Sequence, residues 1–567
     1  MSNYTKEDFN INELGCLYSS DKTFFRVFAP SSSQISLIIN NYEYQMHKNG
    51  CIFEIGLKGN LENIKYHYRN DEGIEFRDPF AYYSDDNDSY VLNIDKFNLE
   101  IVKPIECLDP IIYETSVRDF SSNPLYNGLY PKKIKALSQS GLKLHDYFVI
   151  GLDYLKNIGI THLQLMPILA YDKDQSDYNW GYNPIALNYV SKEYIFNDSN
   201  PYAYINEVRE TINTLHKNNI RVTLDVVFNH AYKVDEFDLN KMLKGHVFRY
   251  LKDGSLAQGS YCGNEINSED IFIKEYLAYM VERYILLFDI DGIRLDLMGL
   301  MDVDTLKYIC TKAKSIKQDF IVYGEGWKMS DILSDDKAAI IENSSEVKDV
   351  KFFNDNFRDT IIKFVCGDLT IIPEVEKVLS GVNNNLDDNQ TINYVECHDN
   401  YTFYDRLLKY IPDEAFENRK DRCRLALALV VLAKGTPFIH SGQEFLRSKK
   451  LFDNSYNLDD SYNCLDWNAR VMHNDLCDYL KDLISFRKNH TEFTNRNVIP
   501  SFSDYYGCVV YKLDDLQIII NPSDYEHIYA DDDNYHVLFD YNGFCDYQRD
   551  AISIKSHSLV ICKKLNQ

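Results

Sequence analysis

The sequence predicts an α/β protein in which a (β/α)8 barrel, the TIM barrel, is flanked by an N-terminal and a C-terminal β-sandwich. In the central part of the chain, short apolar runs alternate with longer helix-forming segments, a pattern typical of parallel strands connected by helices. Toward both ends, polar and apolar residues alternate within short runs, as in antiparallel strands with one solvated face. The length of 567 residues fits about three domains. We place them at 1–105, 106–470 and 471–567.

The N-terminal region contains strand-like runs that are separated by turn residues. Such runs occupy residues 23–28, 34–39 and 51–55. Closely spaced short runs of this kind indicate a small antiparallel sandwich.

The central region contains eight apolar runs, and helix-forming segments such as 153–157, 204–218 and 273–287 lie between them. This alternation predicts the eight strands of the barrel, whose carboxyl ends carry the functional residues. The strand candidates begin at Ile111, Ile160, Arg221, Gly292, Phe320, Val350, Thr391 and Thr436.

The C-terminal region opens with a helical segment at 475–488 and then returns to short alternating runs. We expect a second antiparallel sandwich there. Its strand candidates lie at 508–511, 516–520, 536–539 and 558–562.

The composition excludes several functional classes. Lys and Arg total 60 against 86 Asp and Glu, which gives a net charge of −26. Such a surface repels nucleic acid and anionic membranes, so we expect neither as a partner. No apolar run reaches the length of a membrane span. Nothing in the sequence indicates an oligomeric state.

The cysteines and the first residues bear on the cellular compartment. The 13 Cys are scattered and lack the CxxC spacing of a metal site. They are typical of reduced thiols in a reducing compartment. The first eight residues contain no apolar segment of the kind that a secretory signal requires. We therefore predict a cytoplasmic protein.

Four apolar runs end in acidic or imidazole side chains. They occupy residues 224–230, 292–296, 322–327 and 394–400, at the third, fourth, fifth and seventh strand candidates. A salt bridge or a helix cap would explain any one of them. Together they supply what cleavage of a glycosidic bond requires, namely a carboxylate nucleophile, a protonated acid and charged groups that grip the sugar.

These four stretches resemble the four sequence regions of the α-amylase superfamily of glycoside hydrolases. The resemblance implies that Asp296 is the nucleophile, Glu325 the general acid/base and Asp399 the third carboxylate. Because side chains alternate along a strand, Arg294 lies on the same side as Asp296 and would hold it ionised. The remaining matches imply sugar-binding imidazoles at His230 and His398 and a structural carboxylate at Asp225.

The segment Tyr178-Asn179-Trp180-Gly181-Tyr182-Asn183-Pro184 narrows the resemblance to type I pullulanases. Their signature has Asp where this chain has Asn183, an exchange that would preserve a turn-capping role but not one needing a carboxylate. The resemblance implies that Tyr182 stacks on the sugar at the cleavage site and that Trp180 offers a flat face to a neighbouring glucose. Two further candidate substrate-binding residues lie in segments that resemble the family, Asn400 and Tyr456.

Two further points follow from the resemblance. Residues 25–30 and 78–81 resemble the N-terminal sandwich module of pullulanases, isoamylases and branching enzymes, so this domain either binds carbohydrate or braces the barrel. We expect no cofactor and no metal ligands. Asn229 matches a calcium-binding position of some superfamily members, which leaves calcium as an alternative.

The resemblance implies retaining endo-hydrolysis of α-1,6 branch linkages in pullulan, limit dextrins and oligosaccharides derived from glycogen or amylopectin. The partner would be an α-glucan. Three alternatives stay open at this point: an α-1,4-acting amylase or neopullulanase, an isoamylase, and a glucan-binding protein without catalytic activity.

Overall fold

A computed structural model describes residues 4–173, 176–382, 385–530 and 534–565. Eight parallel strands form a closed barrel, in which each strand pairs with the next along the chain and the last pairs with the first. This confirms the predicted barrel. The strands are β1 (Ile112–Thr115), β2 (His162–Leu165), β3 (Arg221–Val226), β4 (Gly292–Leu295), β5 (Ile321–Gly324), β6 (Val350–Phe353), β7 (Thr391–Asn393) and β8 (Thr436–His440).

Three barrel strands begin one or two residues later than the sequence predicts. The second strand begins at His162 because Ile160 and Thr161 lie outside the ladder. The Thr161 hydroxyl instead accepts a hydrogen bond of 2.7 Å from the Ile111 N–H, which joins the entries of the first two strands. The apolar run in the sequence is therefore longer than the strand that forms hydrogen bonds with its neighbours.

Helices surround the barrel, and their ends show the expected capping. Asn200 caps the third helix by accepting from the N–H groups of Tyr202 and Ala203, and Pro201 occupies its first turn. The α-helices are Val117–Ser122, Leu152–Ile158, Pro201–Lys217, Asp238–Met242, Ile271–Phe288, Val303–Ile316, Asp355–Val365, Ile372–Leu379, Phe403–Tyr410, Phe416–Leu432, Asp460–Asn463, Trp467–Met472 and Asn474–Asn489. Within the described residues, none of them combines the length and the apolar character that a membrane span needs.

The N-terminal region forms two antiparallel sheets that share a core, where the rings of Phe25 and Tyr66 meet edge to face. Arg283, on the helix Ile271–Phe288, joins this region to the barrel by donating to the carbonyls of Phe80 and Ala81. One sheet contains Gly15–Leu17, Lys22–Phe28, Ile52–Lys58 and His47–Asn49, and the other contains Tyr42–Gln45, Ile35–Ile39, Lys65–Asn70, Glu75–Phe76 and Ser89–Tyr90.

The C-terminal region has one large sheet and one small sheet. Alternate residues of the large sheet face opposite sides, so Ile518 packs into the main core whereas Ile519 faces the small sheet. The strands of the large sheet are, in spatial order, Ser501–Tyr505, Cys508–Leu513, Leu516–Asn521, Ser558–Lys564, Tyr535–Asp540 and Gly543–Arg549. The small sheet pairs His527–Tyr529 with Ile552–Ile554.

Two short two-stranded sheets complete the described strands. Lys143–Leu144 pairs with Phe148–Val149, and His230–Ala231 pairs with Asn264–Glu265. The second sheet begins after β3 and holds His230 at the rim of the barrel.

Candidate active site

The four acidic stretches meet at the carboxyl end of the barrel, as the fold requires. Asp225 lies near the end of β3, directly opposite Arg294 in β4. Asp296 follows β4, Glu325 follows β5 and Asp399 follows β7. Residues that are distant in sequence are therefore brought to one rim.

Arg294 is the centre of this group. Its Nη1 lies 3.0 Å from Asp225 Oδ1 and 3.0 Å from Asp296 Oδ1, and its Nη2 donates to Glu325. Only 1% of the Arg294 side chain is exposed. A buried guanidinium presents several donors in a fixed plane, so it holds all three carboxyl groups in a defined geometry.

Asn229 and His230 complete the surroundings of Asp296. The Asn229 amide donates to Asp296 Oδ2 at 2.8 Å and to its backbone carbonyl at 2.6 Å. The Asn229 side-chain oxygen faces Nδ1 of His230, while Nε2 of His230 lies 3.0 Å from the Tyr182 carbonyl. Both ends of the Asn229 amide are thus engaged with side chains of the site, and calcium binding at this position stays an untested alternative.

Glu325 lies in surroundings that favour its protonated form. Burial raises the pKa of Glu325 to about 8; Arg294 opposes this shift, and the charges of Asp296 and Asp399 add to it. The Leu297 N–H donates to Glu325 Oε2 at 3.0 Å, and Leu297 has a left-handed φ of 36°. A non-glycine residue at positive φ is strained, so the turn after Asp296 is held in an unfavourable conformation that aims its N–H at Glu325.

Asp399 is the most open of the three predicted catalytic carboxylates, with 39% of its side chain exposed. Nε2 of His398 lies 3.4 Å from Asp399 Oδ2, and Nδ1 of His398 lies 2.8 Å from Glu114. Burial opposes a charge on His398, but the carboxylates of Asp399 and Glu114 prevail and raise its pKa to about 9. These surroundings favour the imidazolium form of His398.

The aromatic segment after β2 closes over these groups. Gly181 has φ 99°, and a Cβ there would lie 2.8 Å from the Pro167 carbonyl, so the turn requires glycine. The turn directs Tyr182 inward, where its hydroxyl donates to Asp225 at 2.6 Å and its ring stacks on His398 with centroids 5.0 Å apart. Asn183 contributes its backbone carbonyl, which accepts the Asp172 N–H.

Trp180 and Tyr456 differ in how much of each ring reaches solvent. Trp180 is only 7% exposed and meets His398 edge to face at 5.1 Å. Tyr456 is 50% exposed, and its ring lies 6.2 Å from that of Trp180. Tyr456 is therefore the open aromatic surface of this part of the cleft.

Asn400 has φ 62° and donates its N–H to Asn454 at 3.4 Å. Its carbonyl accepts from Nζ of Lys449 at 3.0 Å, and the same ammonium donates to the His398 carbonyl. Lys449 thus binds the backbone on both sides of Asp399. Its ammonium also lies 5.1 Å from the Trp180 ring.

The sequence reasoning missed Glu114 and Lys449. Glu114 ends the first apolar run, which is the signal that singled out the other four stretches, so the same criterion could have found it. No sequence pattern marks Lys449 as a functional residue, because its partners are backbone carbonyls about 50 residues away.

Two clusters in the described residues bring potential metal ligands together, but each is already engaged. In the first cluster Nδ1 of His398 is bound to Glu114, and in the second Arg422 bridges two carboxylates at 2.7 and 3.0 Å. The predicted absence of a cofactor stays a prediction. The clusters are Cys397, His398 and Asp399, and Glu414, Asp524 and His557.

A (β/α)8 barrel whose carboxyl rim combines a nucleophile candidate, a carboxyl group with a raised pKa and an open third carboxylate is the arrangement of a glycoside hydrolase. Comparison with known proteins identifies which kind of glycoside hydrolase this chain is. The chain is 32% identical to a pullulanase of Bacillus subtilis (strain 168) over 96% of its own length and 82% of that protein. It therefore belongs to the pullulanase family and is a debranching enzyme. No protein-family model matches the chain.

Solved structures agree with this assignment. A pullulanase from Anoxybacillus sp. LM18-11 complexed with maltotriose superposes with a TM-score of 0.93 at 28% identity, over 99% of this chain and 87% of that one. The type I pullulanase of Bacillus subtilis complexed with maltose gives the same TM-score at 30% identity, over 99% of this chain and 86% of that one.

Proposed function

We propose that this rim hydrolyses α-1,6-glucosidic bonds with retention of configuration, with Asp296 as nucleophile and Glu325 as acid and base. The observation that carries the proposal is the shared guanidinium of Arg294, which contacts both carboxyl groups through adjacent nitrogens. Retaining enzymes need two carboxyl groups close together on opposite sides of the bond.

In the first step, an Asp296 oxygen attacks the anomeric carbon while Glu325 gives its proton to the glycosidic oxygen. The bond between the anomeric carbon and this oxygen breaks, and the chain that carried the branch leaves as an alcohol. The high pKa of Glu325 keeps the required proton in place at neutral pH. Asp399 and His398 bind hydroxyl groups of the distorted ring.

In the second step, Glu325 is a carboxylate and accepts a proton from water. The water oxygen attacks the anomeric carbon and the ester bond to Asp296 breaks. Glu325 is protonated again and Asp296 is released as a carboxylate, so both groups return to their starting forms.

The proposed substrates are soluble α-glucans that contain α-1,6 bonds, such as pullulan and limit dextrins. Pullulanases of similar structure bind maltotriose and maltotetraose. The half-exposed Tyr456 ring offers such chains an apolar face on which a glucose unit stacks.

Product analysis after incubation with pullulan tests this proposal. Maltotriose as the single main product is expected for cleavage of α-1,6 bonds. Panose or isopanose would instead mean α-1,4 cleavage by the same carboxylates. A preference for glycogen over pullulan would favour an isoamylase-like specificity.

We also propose that the enzyme works in the cytoplasm. All 13 cysteines are free thiols, and such a set is at risk in an oxidising compartment. Fractionation of the source cells with an antibody against the protein tests this. Recovery of the protein outside the cell would contradict the proposal.

A further inference from the structure

We propose that Glu114, at the carboxyl end of β1, is a positioning residue that holds His398 as a doubly hydrogen-bonded cation facing Asp399. Glu114 is 1% exposed, and the His398 ring lies between its carboxyl group and that of Asp399. It therefore acts on the substrate indirectly.

The contacts of Glu114 fix both the position and the orientation of the imidazole. Oε2 of Glu114 accepts the backbone N–H of His398 at 2.8 Å, and Oε1 lies 2.8 Å from Nδ1 of the same residue. The carboxylate thus binds the backbone and the ring of His398 together. The ring cannot rotate without losing one of these two bonds.

A second contact shows that Glu114 acts as an acceptor. The Gln164 amide donates to Glu114 Oε1 at 2.9 Å, and the Gln164 oxygen in turn accepts from the Tyr323 hydroxyl at 2.7 Å. Two partners of the Glu114 carboxyl group, the His398 backbone N–H and the Gln164 amide, are N–H donors and suit an ionised carboxylate. Beside such a carboxylate, Nδ1 of His398 is favoured as a third donor.

The other ring nitrogen faces a second carboxylate. Nε2 of His398 lies 3.4 Å from Asp399 Oδ2, so a proton on Nε2 also meets an acceptor. An imidazole with a carboxylate on each side is stabilised in its cationic form. The cation can then donate to a sugar hydroxyl beside Asp399, and a charged donor binds more strongly than a neutral one.

The other groups around the His398 ring reduce the stabilisation of its cationic form but do not abolish it. Arg294 lowers the pKa of His398, and burial does so more strongly. The Lys449 ammonium contacts the His398 carbonyl, and Tyr182 and Trp180 pack against the ring. The acidic groups that face the ring from neighbouring elements are Glu114, Asp225 and Asp399.

The first test measures the titration of His398 in the wild-type enzyme by NMR of histidine labelled with 13C at Cε1. The protein has 14 His, and the signal of His398 is identified by its absence in His398→Asn. We expect a titration midpoint well above the ordinary value of about 6.5. A midpoint at or below this value would overturn the proposal, and this result needs no substitution at Glu114.

The second test is Glu114→Gln, which keeps the shape of the side chain and removes its charge. We expect the His398 midpoint to fall by about one pH unit or more. We also expect kcat/KM on pullulan at pH 6 to fall by about 10- to 100-fold, because the neutral amide holds the His398 ring in place less firmly. Glu114→Asp keeps the charge, so its His398 midpoint should stay nearer to that of wild type than the midpoint of Glu114→Gln does.

Glu444 provides a matched control. It is a buried glutamate that accepts from the hydroxyls of Tyr113 and Tyr154 at 2.8 and 2.6 Å, and it contacts neither His398 nor the carboxylates of the cleft. Glu444→Gln should leave the His398 midpoint unchanged. An unchanged midpoint in Glu114→Gln as well, with kcat/KM within about twofold of wild type, would refute the role of Glu114.

Discussion

Asp296 and Glu325 bind the same guanidinium, yet their surroundings differ. Asp296 also accepts a hydrogen bond of 2.8 Å on Oδ2 from the Asn229 amide. Glu325 is more deeply buried and lies near two other acids, and both features raise its pKa. These different surroundings suit one carboxyl group to act as nucleophile and the other to act as acid.

Replacement of Asp296 by Asn should remove the nucleophile but leave its hydrogen bonds with the surrounding donors partly intact. We expect kcat on pullulan to fall by at least about a thousandfold, with little change in the thermal midpoint or in maltotriose binding. Steady-state kinetics and calorimetry measure the two effects. The exposed Asp304→Asn is the control, and it should behave as wild type. A loss below tenfold would exclude Asp296 as nucleophile.

The pKa of Glu325 predicts the alkaline limit of activity. Its value of about 8 lies above the ordinary value, so the protonated acid is present below pH 8 and is lost as the pH rises through it. We expect kcat/KM to fall about tenfold for each pH unit above 8. An alkaline limb centred below about pH 6.5 would contradict the assignment.

Glu325→Gln gives an independent check of the same role. This variant cannot donate a proton, so its activity on pullulan should be largely lost. A substrate whose leaving group is an acidic phenol needs little protonation, so its bond to the sugar should still be cleaved in the first step. Equal losses with both substrates would mean that Glu325 is not the acid.

At the scale of elements, the segment between β2 and the following helix depends on one glycine. In Gly181→Ala, the new Cβ would clash with the Pro167 carbonyl and strain the positive φ. Tyr182 would then shift from Asp225 and His398, so we expect kcat/KM to fall by about tenfold or more. Kinetics on pullulan measure this loss.

Gly254→Ala separates the effect of a positive φ from the effect of a steric clash at the added Cβ. Gly254 also has a positive φ, of 85°, but nothing lies within 4 Å of its added Cβ. It should cost stability of about 1 kcal/mol and leave kcat/KM unchanged. If both variants lost activity equally, the close approach of Gly181 to Pro167 would not explain the effect.

The strands of the barrel were easier to predict from the sequence than the side-chain contacts that join them. Apolar runs that end in charge, such as the run before Asp225, mark both a buried strand and its functional end. Glu114 went unnoticed although it ends such a run, because its partner His398 lies 284 residues away. Lys449 binds backbone carbonyls, and because every residue has a carbonyl, the sequence does not show which ones a lysine will reach.

At the scale of the whole molecule, Arg487 closes the lower end of the barrel. This side chain is fully buried on the helix Asn474–Asn489 and binds both oxygens of Asp109, which precedes β1. It also donates to the carbonyls of Val431, Ala433 and Gly435, which lead into β8. The first and last barrel strands are thus tied to the helix that leads to the C-terminal sheets.

Arg487→Met should destabilise the protein without changing the chemistry at the opposite rim. The substitution leaves Asp109 and three carbonyls without their donor, so we expect the Tm to fall by about 3–5 °C and kcat to stay the same. Differential scanning calorimetry and kinetics at 25 °C test this. The exposed Arg549→Met is the control, with an expected Tm close to wild type. A Tm drop of equal size in both variants would contradict the prediction.

The crowding of acids around Arg294 also bears on inhibition. Glucose chains are neutral, whereas a sugar analogue with a sulfonium in place of the ring oxygen carries a positive charge at every pH. Above pH 8, when Glu325 has lost its proton, the cleft gains a negative charge that only a cationic ligand can use. Such an inhibitor should bind more tightly as catalysis fails, and competition assays from pH 6 to 9 would reveal two opposite trends. The enzyme would then be most easily blocked at the pH where it works least.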